Sequence, residues 1–299
     1  MESTGASWDG TNTVTSSNTE LVPLQLRASS MHRICTNKPK FEQAEYDIKE
    51  QDLLAVLDKK GLVYESDQID TYCKTQGIMT KAKAFKTQQE LKVLAEEDPL
   101  PTGAKTYLQE LWLENHYEFY EVSTPSDDPK FLKGHAVENG AISVVGQLYK
   151  LEIEKNTQRI TKGIITGECD VKYDRVIRDT KCPEDWKSFR KKTSLEIAYY
   201  WQLVTYCYLY DCDEAYVDYV LMKTPQDIFD MMVRYHPPKD VLKLQRSNDS
   251  IESLPLNQRV KTFKAEGIKQ NIEFLINRAA KAEAYYNSLT YEQCMNMVV

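Results

Sequence analysis

The 299-residue chain is short of several features that would fix its class at once. Its seven cysteines, at 35, 73, 169, 182, 207, 212 and 294, include no pair at C-x-x-C spacing. An odd, scattered set offers little to a zinc or iron–sulfur site and reads as reduced thiols of a cytosolic protein. Long apolar runs are missing too. The longest apolar-looking stretch, 197–210, is 14 residues with five tyrosines and a glutamine, too short and too polar to span a bilayer. The first twenty residues lack the basic, then apolar, then small-residue order of a signal peptide. An excess of positive charge is missing as well: a net charge of −7 argues against a protein coated in nucleic acid. It leaves room for an enzyme with a local basic channel beside an acidic site. No internal repeat is visible.

What is present suits one large globular domain, or a domain with appendages, since 41% hydrophobic and 28% charged residues over this length can bury a sizeable core. Residues 1–20, rich in Ser, Thr, Asn and Gly, read as a disordered tail. Helical periodicity follows in 40–120, with apolar stripes at Leu53, Leu54, Val56 and Leu57, at Leu91, Val93 and Leu94, and at Tyr107, Leu108, Leu111 and Trp112. Residues 123–129 (STPSDDP) are expected to be a loop. A helix is then expected over 129–145 with Leu132, Ala136, Val137 and Ile142 as its apolar face. The period then switches. Leu148, Tyr149, Leu151 and Ile153 suggest a half-buried strand, and 160–166, 167–173 and 176–182 suggest three more. A helix over 184–210, a strand over 214–222 and a long helix over 257–289 complete the reading. Helices, a β-meander, then helix and strand make an α+β or α/β core with helical additions.

The chemistry concentrates in GECDVKYDRVIRDTK at 167–181. If two strands turn symmetrically about Asp174–Arg175, Tyr173 faces Val176 and Asp170 falls opposite Asp179. Opposed residues on one face have Cβ atoms roughly 4.5–5.5 Å apart. Two carboxylates so placed repel, and a divalent cation between them reverses that sign. The strand's period of two puts Lys181 on the face of Asp179, while Thr180 points away and offers its backbone carbonyl as a hard oxygen ligand for Mg²⁺. Such a set fits phosphodiester hydrolysis. Glu138, on the helix before the meander, is the candidate third carboxylate. Lys187, Arg190, Lys191 and Lys192 follow as a basic run, read equally as a solvated helix face or as a track for a DNA backbone.

These residues resemble the PD-(D/E)xK nuclease superfamily and, within it, the lambda-type phage exonucleases or YqaJ-like viral recombinases. LRASSMH at 26–32 is similar to the family's Thr-Ala-Ser block, and GHAVEN at 134–139 to its Gly-x-x-x-Glu-Asn helix. Cys169–Asp170 with DTKCP at 179–183 resembles its Pro-Asp and Glu-x-Lys-Cys-Pro strands, and YYWQ at 199–202 with Tyr206 its glutamine-bearing helix. The resemblance implies a restriction-endonuclease-like core, a central mixed sheet flanked by helices. It divides the chain into a tail (1–20), an N-terminal helical part (21–130), a catalytic core (131–225) and a C-terminal helical region (226–299). It further implies Mg²⁺ or Mn²⁺ dependence and 5′→3′ digestion of double-stranded DNA. It also implies a phage single-strand annealing protein as partner, a ring trimer, and a place in the cytoplasm of a bacterial host. By the same resemblance Asp170 and Asp179 ligate metal, Lys181 acts on the attacking water, and Glu138 and Gln202 hold the water or metal shell. Ser29 would contact phosphate and Lys187 the terminal 5′-phosphate, with Arg190 on the DNA backbone. Asp179 stands where Glu is more usual, Cys169 where Pro is common, and Glu168 where a phosphate-binding Ser is expected. The competing expectations are a structure-selective or endonucleolytic relative and a non-catalytic DNA-binding subunit of the same fold.

Overall fold

The computed structural model describes residues 22–35, 100–117 and 128–296. The expected tail, the stripes around Leu53 and Leu91, and residues 123–127 of the expected loop lie outside these residues. The elements run β1 (Leu26–Arg27), α1 (Met31–Cys35), α2 (Thr102–Tyr117), α3 (Pro129–Tyr149), β2 (Ile160–Lys162), β3 (Ile165–Gly167), β4 (Val171–Tyr173) and β5 (Val176–Lys181). They continue with α4 (Trp186–Lys191), α5 (Ile197–Tyr210), β6 (Glu214–Val220), α6 (Gln226–Val233), α7 (Pro238–Ser250), α8 (Leu256–Arg259), β7 (Val260–Lys264), α9 (Ile268–Asn287) and α10 (Tyr291–Met295). The result is a mixed α/β fold, as expected.

Among the described residues two sheets form, ordered β1-β3-β2 and β4-β5-β6-β7. In the larger, β4 and β5 are an antiparallel hairpin, β5 and β6 are parallel, and β7 returns antiparallel to β6. A parallel pair needs a crossover connection, and α4 and α5 supply it. Ile177 in β5, with Ala215, Val217 and Tyr219 in β6, packs into the main core against α5, where Leu203, Val204, Cys207 and Leu209 are buried. α3 joins a smaller cluster of Ala141, Val144, Val145, Val220 and Val260. The sheet is therefore sandwiched, and β5 ends between α3 and α5.

Several expectations change in detail. Leu148 and Tyr149 form the last turn of α3 rather than a strand, and 151–159 has no regular structure. The helix stops where Lys150 turns left-handed (φ 54°) and its N–H reaches the Gly146 carbonyl. Its start matches the expected break: Asp128 caps the Lys130 N–H and Pro129 sits in the first turn. Ala136, expected on the apolar face, is exposed, and Lys133 is buried in that region. The strand expected over 160–166 is a hairpin, because Gly163 (φ 59°) turns the chain between β2 and β3. The helix expected over 184–210 is two, since 192–196 is non-helical, with Lys192 and Glu196 extended and Thr193 and Ser194, poor helix formers, between them.

The largest correction concerns 257–289. Val260–Lys264 is a strand on the outside of the main sheet, with Tyr216 opposite Lys264 and Val220 opposite Val260. Its Val, Thr and Phe are residues that favour strands, although VKTFK does not alternate strictly, and Gly267 (φ 68°) separates it from α9. The region after 225 therefore adds a strand as well as helices.

Candidate active site

The β4–β5 hairpin has the register expected from the sequence. Tyr173 pairs with Val176 and Val171 with Arg178, so the next step outward sets Asp170 against Asp179. The two-residue loop is entered through Asp174 at φ 47°. Asp179 and Lys181 lie on the α5 side of the sheet, as their partners Val217 and Tyr219 show. Asp179 is 1% exposed. The Lys181 ammonium lies 2.7 Å from its Oδ2, and Oδ1 has no hydrogen-bond partner.

Thr180 does not turn away from the site as expected. Its N–H and hydroxyl donate to Asp170 Oδ2 at 2.7 and 3.0 Å. Asp170 precedes the paired residues of β4, so the pleat does not dictate its direction, and the carboxylate folds over the next strand.

Electrostatics follow from this crowding. Burial pushes the Asp170 carboxyl up to about 7, with the charge of Asp179 adding to the shift. Burial also raises Asp179, with Lys181 pulling against it. Lys181 shows the reverse balance: burial disfavours its charge, but Asp179 and Asp170 outweigh it and the net shift is upward. Its ammonium also lies 5.0 Å from the centre of the Tyr199 ring.

A cleft of about 400 Å³ opens over these residues, lined by Glu138, His135, Asp170, Thr180, Lys181, Lys192 and Tyr199 among others. Glu138 comes from α3, one wall of the cleft, and its Oε2 is paired with Lys155 Nζ at 2.6 Å. Lys155 lies in the irregular segment 151–159, just beyond the strand expected at 148–153, and no motif marked it. Gln202 does not line the cleft. It is buried, and its Nε2 donates to the Tyr206 hydroxyl at 2.9 Å. Burial, then the nearby charge of Asp179, raises the Tyr206 phenol.

The phosphate candidates separate. Ser29 lines a second cleft with Arg27, Arg159, Thr161, Glu168 and Tyr206, whereas Lys187 lines a different, mixed pocket with Glu184, Asp185, Trp186, Phe229 and His236. The second cleft depends on a close approach at Gly167, where a Cβ would meet Ala28 and Leu209 at 2.9 Å. Arg159 Nη2 lies 3.3 Å from Glu168 Oε2. Arg190 is exposed and stacks on Trp186 at 5.6 Å. Arg27 stood inside the LRASSMH block without being singled out, and Arg159 stood in no motif, so its only sequence signal was its sign.

A cation fits part of this arrangement. A buried carboxylate oxygen without a donor, beside a second carboxylate of raised pKa, is what a hard cation would satisfy. Among the described residues no group of three His, Cys, Asp or Glu side chains is gathered to hold a metal. The oxygen set is therefore two carboxylates, with the Thr180 carbonyl and Glu138 as candidate additions.

No family model and no curated protein matches the chain. Among solved structures, a phage-related exonuclease from Haemophilus somnus 129PT aligns at TM-score 0.60 and 23% identity, over 89% of this chain and 95% of that one. The chain has the fold of that phage exonuclease. The alkaline exonuclease LHK-Exo from Laribacter hongkongensis aligns more loosely, at TM-score 0.35 and 14% identity, over 60% of this chain and 87% of that one. Its complex with dAMP aligns at TM-score 0.41 and 15% identity, over 62% and 83%. Among the described residues of this exonuclease-fold chain, no helix is long and apolar enough to cross a membrane.

Proposed function

We propose that the chain is a divalent-metal-dependent deoxyribonuclease that degrades linear double-stranded DNA from its ends, 5′→3′, in phage-type recombination or end processing. The observation that carries this reading is the buried Asp179, set against Asp170, with one oxygen lacking a donor and Lys181 at 2.7 Å from the other. A buried carboxylate set against a half-buried one beside a lysine is a poor choice for stability alone. They suit a site that meets a cation and a phosphodiester.

Asp170 and Asp179 would hold Mg²⁺ or Mn²⁺, with the Thr180 carbonyl and Glu138 completing the set. Bound there, the ion would polarise the phosphoryl oxygen and stabilise the leaving oxygen. The residues of the chain do the rest. Lys181 stays protonated through the neutral range and is held in place by Asp179 and the Tyr199 face, so it can neutralise charge developing in the transition state without reorganising. Glu138, on the opposite wall, would orient the attacking water. Lys192 places a further positive charge on the cleft lining.

The second cleft is the candidate seat of the terminal phosphate. Ser29 offers a hydroxyl there, and Arg27 and Arg159 offer positive charge. Arg159 offsets Glu168, whose carboxylate would otherwise repel the phosphate. Lys187, expected from the resemblance to share this role, lines a different pocket and fits a backbone contact instead. A phage annealing protein, a ring trimer and a bacterial cytoplasm belong to this proposal as the setting such an enzyme works in.

Linear DNA labelled at one 5′ or 3′ end, incubated with Mg²⁺ or with EDTA, is the deciding experiment. Release of label from 5′ ends in Mg²⁺ alone supports the proposal. Equal cutting of closed circles moves the reading to an endonuclease. DNA binding without cleavage moves it to a non-catalytic subunit.

A further inference from the structure

Lys133 is 0% exposed, although lysine is almost never fully buried unless an opposite charge accompanies it. Its described partners are main-chain carbonyls: Nζ donates to Pro183 O at 3.0 Å and to Glu184 O at 2.7 Å. Burial draws its pKa down to about 8, against smaller upward pulls from Cys182, Asp185 and Glu184. Packing alone would be served better by Met or Leu, which carry no charge to desolvate. The lysine is therefore kept for what its donors hold.

What they hold is the link between Lys181 and α4. Pro183 is buried in that link, and Asp185 closes it with a capping box to Ser188. One turn earlier on α3, Lys130 Nζ reaches the Glu184 carboxylate at 3.1 Å, on the surface. The same helix thus grips the link twice, at its side chain outside and at its backbone inside. Five residues further along α3 stands Glu138, and two residues back from Pro183 stands Lys181. Lys130, Gly134, Glu138, Lys181, Cys182 and Pro183 all line the cleft.

We infer that Lys133 is a positioning residue that clamps the strand end bearing Asp179 and Lys181 to the helix bearing Glu138, setting the width of the cleft. The catalytic consequence rests on the proposed nuclease reading; the clamp itself does not. Lys133 touches neither the reacting atoms nor the carboxylates. It acts through the Pro183 and Glu184 carbonyls.

The test uses Lys133→Met, of similar length with no donor, and Lys133→Gln, whose amide reaches fewer acceptors. Single-turnover cleavage of linear duplex, duplex affinity, and amide hydrogen exchange between residues 181 and 186 are measured for each. The expected result is a single-turnover rate down at least tenfold in Lys133→Met and at least threefold in Lys133→Gln. Duplex affinity stays within twofold, and exchange in 181–186 quickens in the same order. A rate within twofold of wild type, or unchanged exchange, overturns the inference. If Lys133→Met does not fold, Lys133→Gln decides by the same limits. If the wild-type chain cuts no DNA with Mg²⁺ or Mn²⁺, the nuclease reading fails and exchange alone decides: faster exchange in 181–186 keeps the clamp, and retained protection overturns it.

Discussion

Lys155 Nζ lies 2.6 Å from Glu138 Oε2, so the third carboxylate of the cleft is partly neutralised before any substrate arrives. Hydrogen bonding to Glu138 also holds the Lys155 ammonium above its usual pKa. Lys155→Gln should leave Glu138 uncompensated beside Asp170 and Asp179. The expected outcome is a two- to tenfold tighter Mn²⁺ affinity by calorimetry and a lower melting temperature in EDTA. Weaker Mn²⁺ binding would show that Lys155 serves the site in some way other than charge balance.

Asp170 and Asp179 are expected to be essential to cleavage and dispensable to the fold. Asp170→Asn or Asp179→Ala should lower Mg²⁺-dependent cleavage at least a hundredfold. Stability in EDTA should hold or rise in Asp170→Asn, which removes one of two repelling carboxylates, and fall in Asp179→Ala, which leaves Lys181 without its partner. Near wild-type activity in either variant would remove the proposed site.

Stability of the metal-free protein should depend on pH with a defined sign. The folded Asp170 keeps its proton up to about pH 7, whereas an unperturbed Asp loses it near 3.8. The folded state binds more protons between those values, so the contribution is full below about pH 4 and fades as pH rises through 7. Melting temperatures in EDTA should fall from pH 4.5 to 7.5, Asp170→Asn should flatten that slope, and Mg²⁺ should recover the loss at pH 7.5 in the wild type alone. An equal slope in the variant would place the titration elsewhere.

Lys181 and the basic residues of α4 should separate by kinetics. Lys181→Ala should lower the single-turnover rate far more than DNA affinity, since its charge meets the transition state. Lys187→Ala and Arg190→Ala should weaken binding and flatten its salt dependence, leaving the single-turnover rate nearly unchanged. A Lys181 variant with normal rate and weaker binding would make it a backbone contact.

End preference tests the second cleft. Glu168→Ser should raise the preference for 5′-phosphorylated over 5′-hydroxyl duplex ends, and Arg159→Ala should lower it by exposing the Glu168 charge. If neither substitution moves the ratio, the terminal phosphate sits elsewhere.

The hairpin was legible in the sequence because its geometry is local. A two-residue turn at Asp174–Arg175 fixes every pairing outward, so Asp170 opposite Asp179 follows from counting. The partners of that pair were not legible. Lys155 meets Glu138 across 17 residues and Lys133 meets Pro183 across 50, and no periodicity encodes such contacts. Lys133 carried no signal for a further reason: lysine ordinarily marks a solvated position, and the apolar pattern points to Ala136, which is exposed. β7 was missed because VKTFK is short, does not alternate strictly and is flanked by helical sequence.

That strand has a consequence for synthesis and truncation. β6, the neighbour of β5, pairs on its other edge with residues 260–264, which the ribosome delivers some forty residues later. Until then the nascent β6 offers bare amides and carbonyls to any passing strand. A chain ended before residue 260 should carry that open edge permanently and collect as aggregate, with its motif residues all present. One ended after α9 should keep the edge covered.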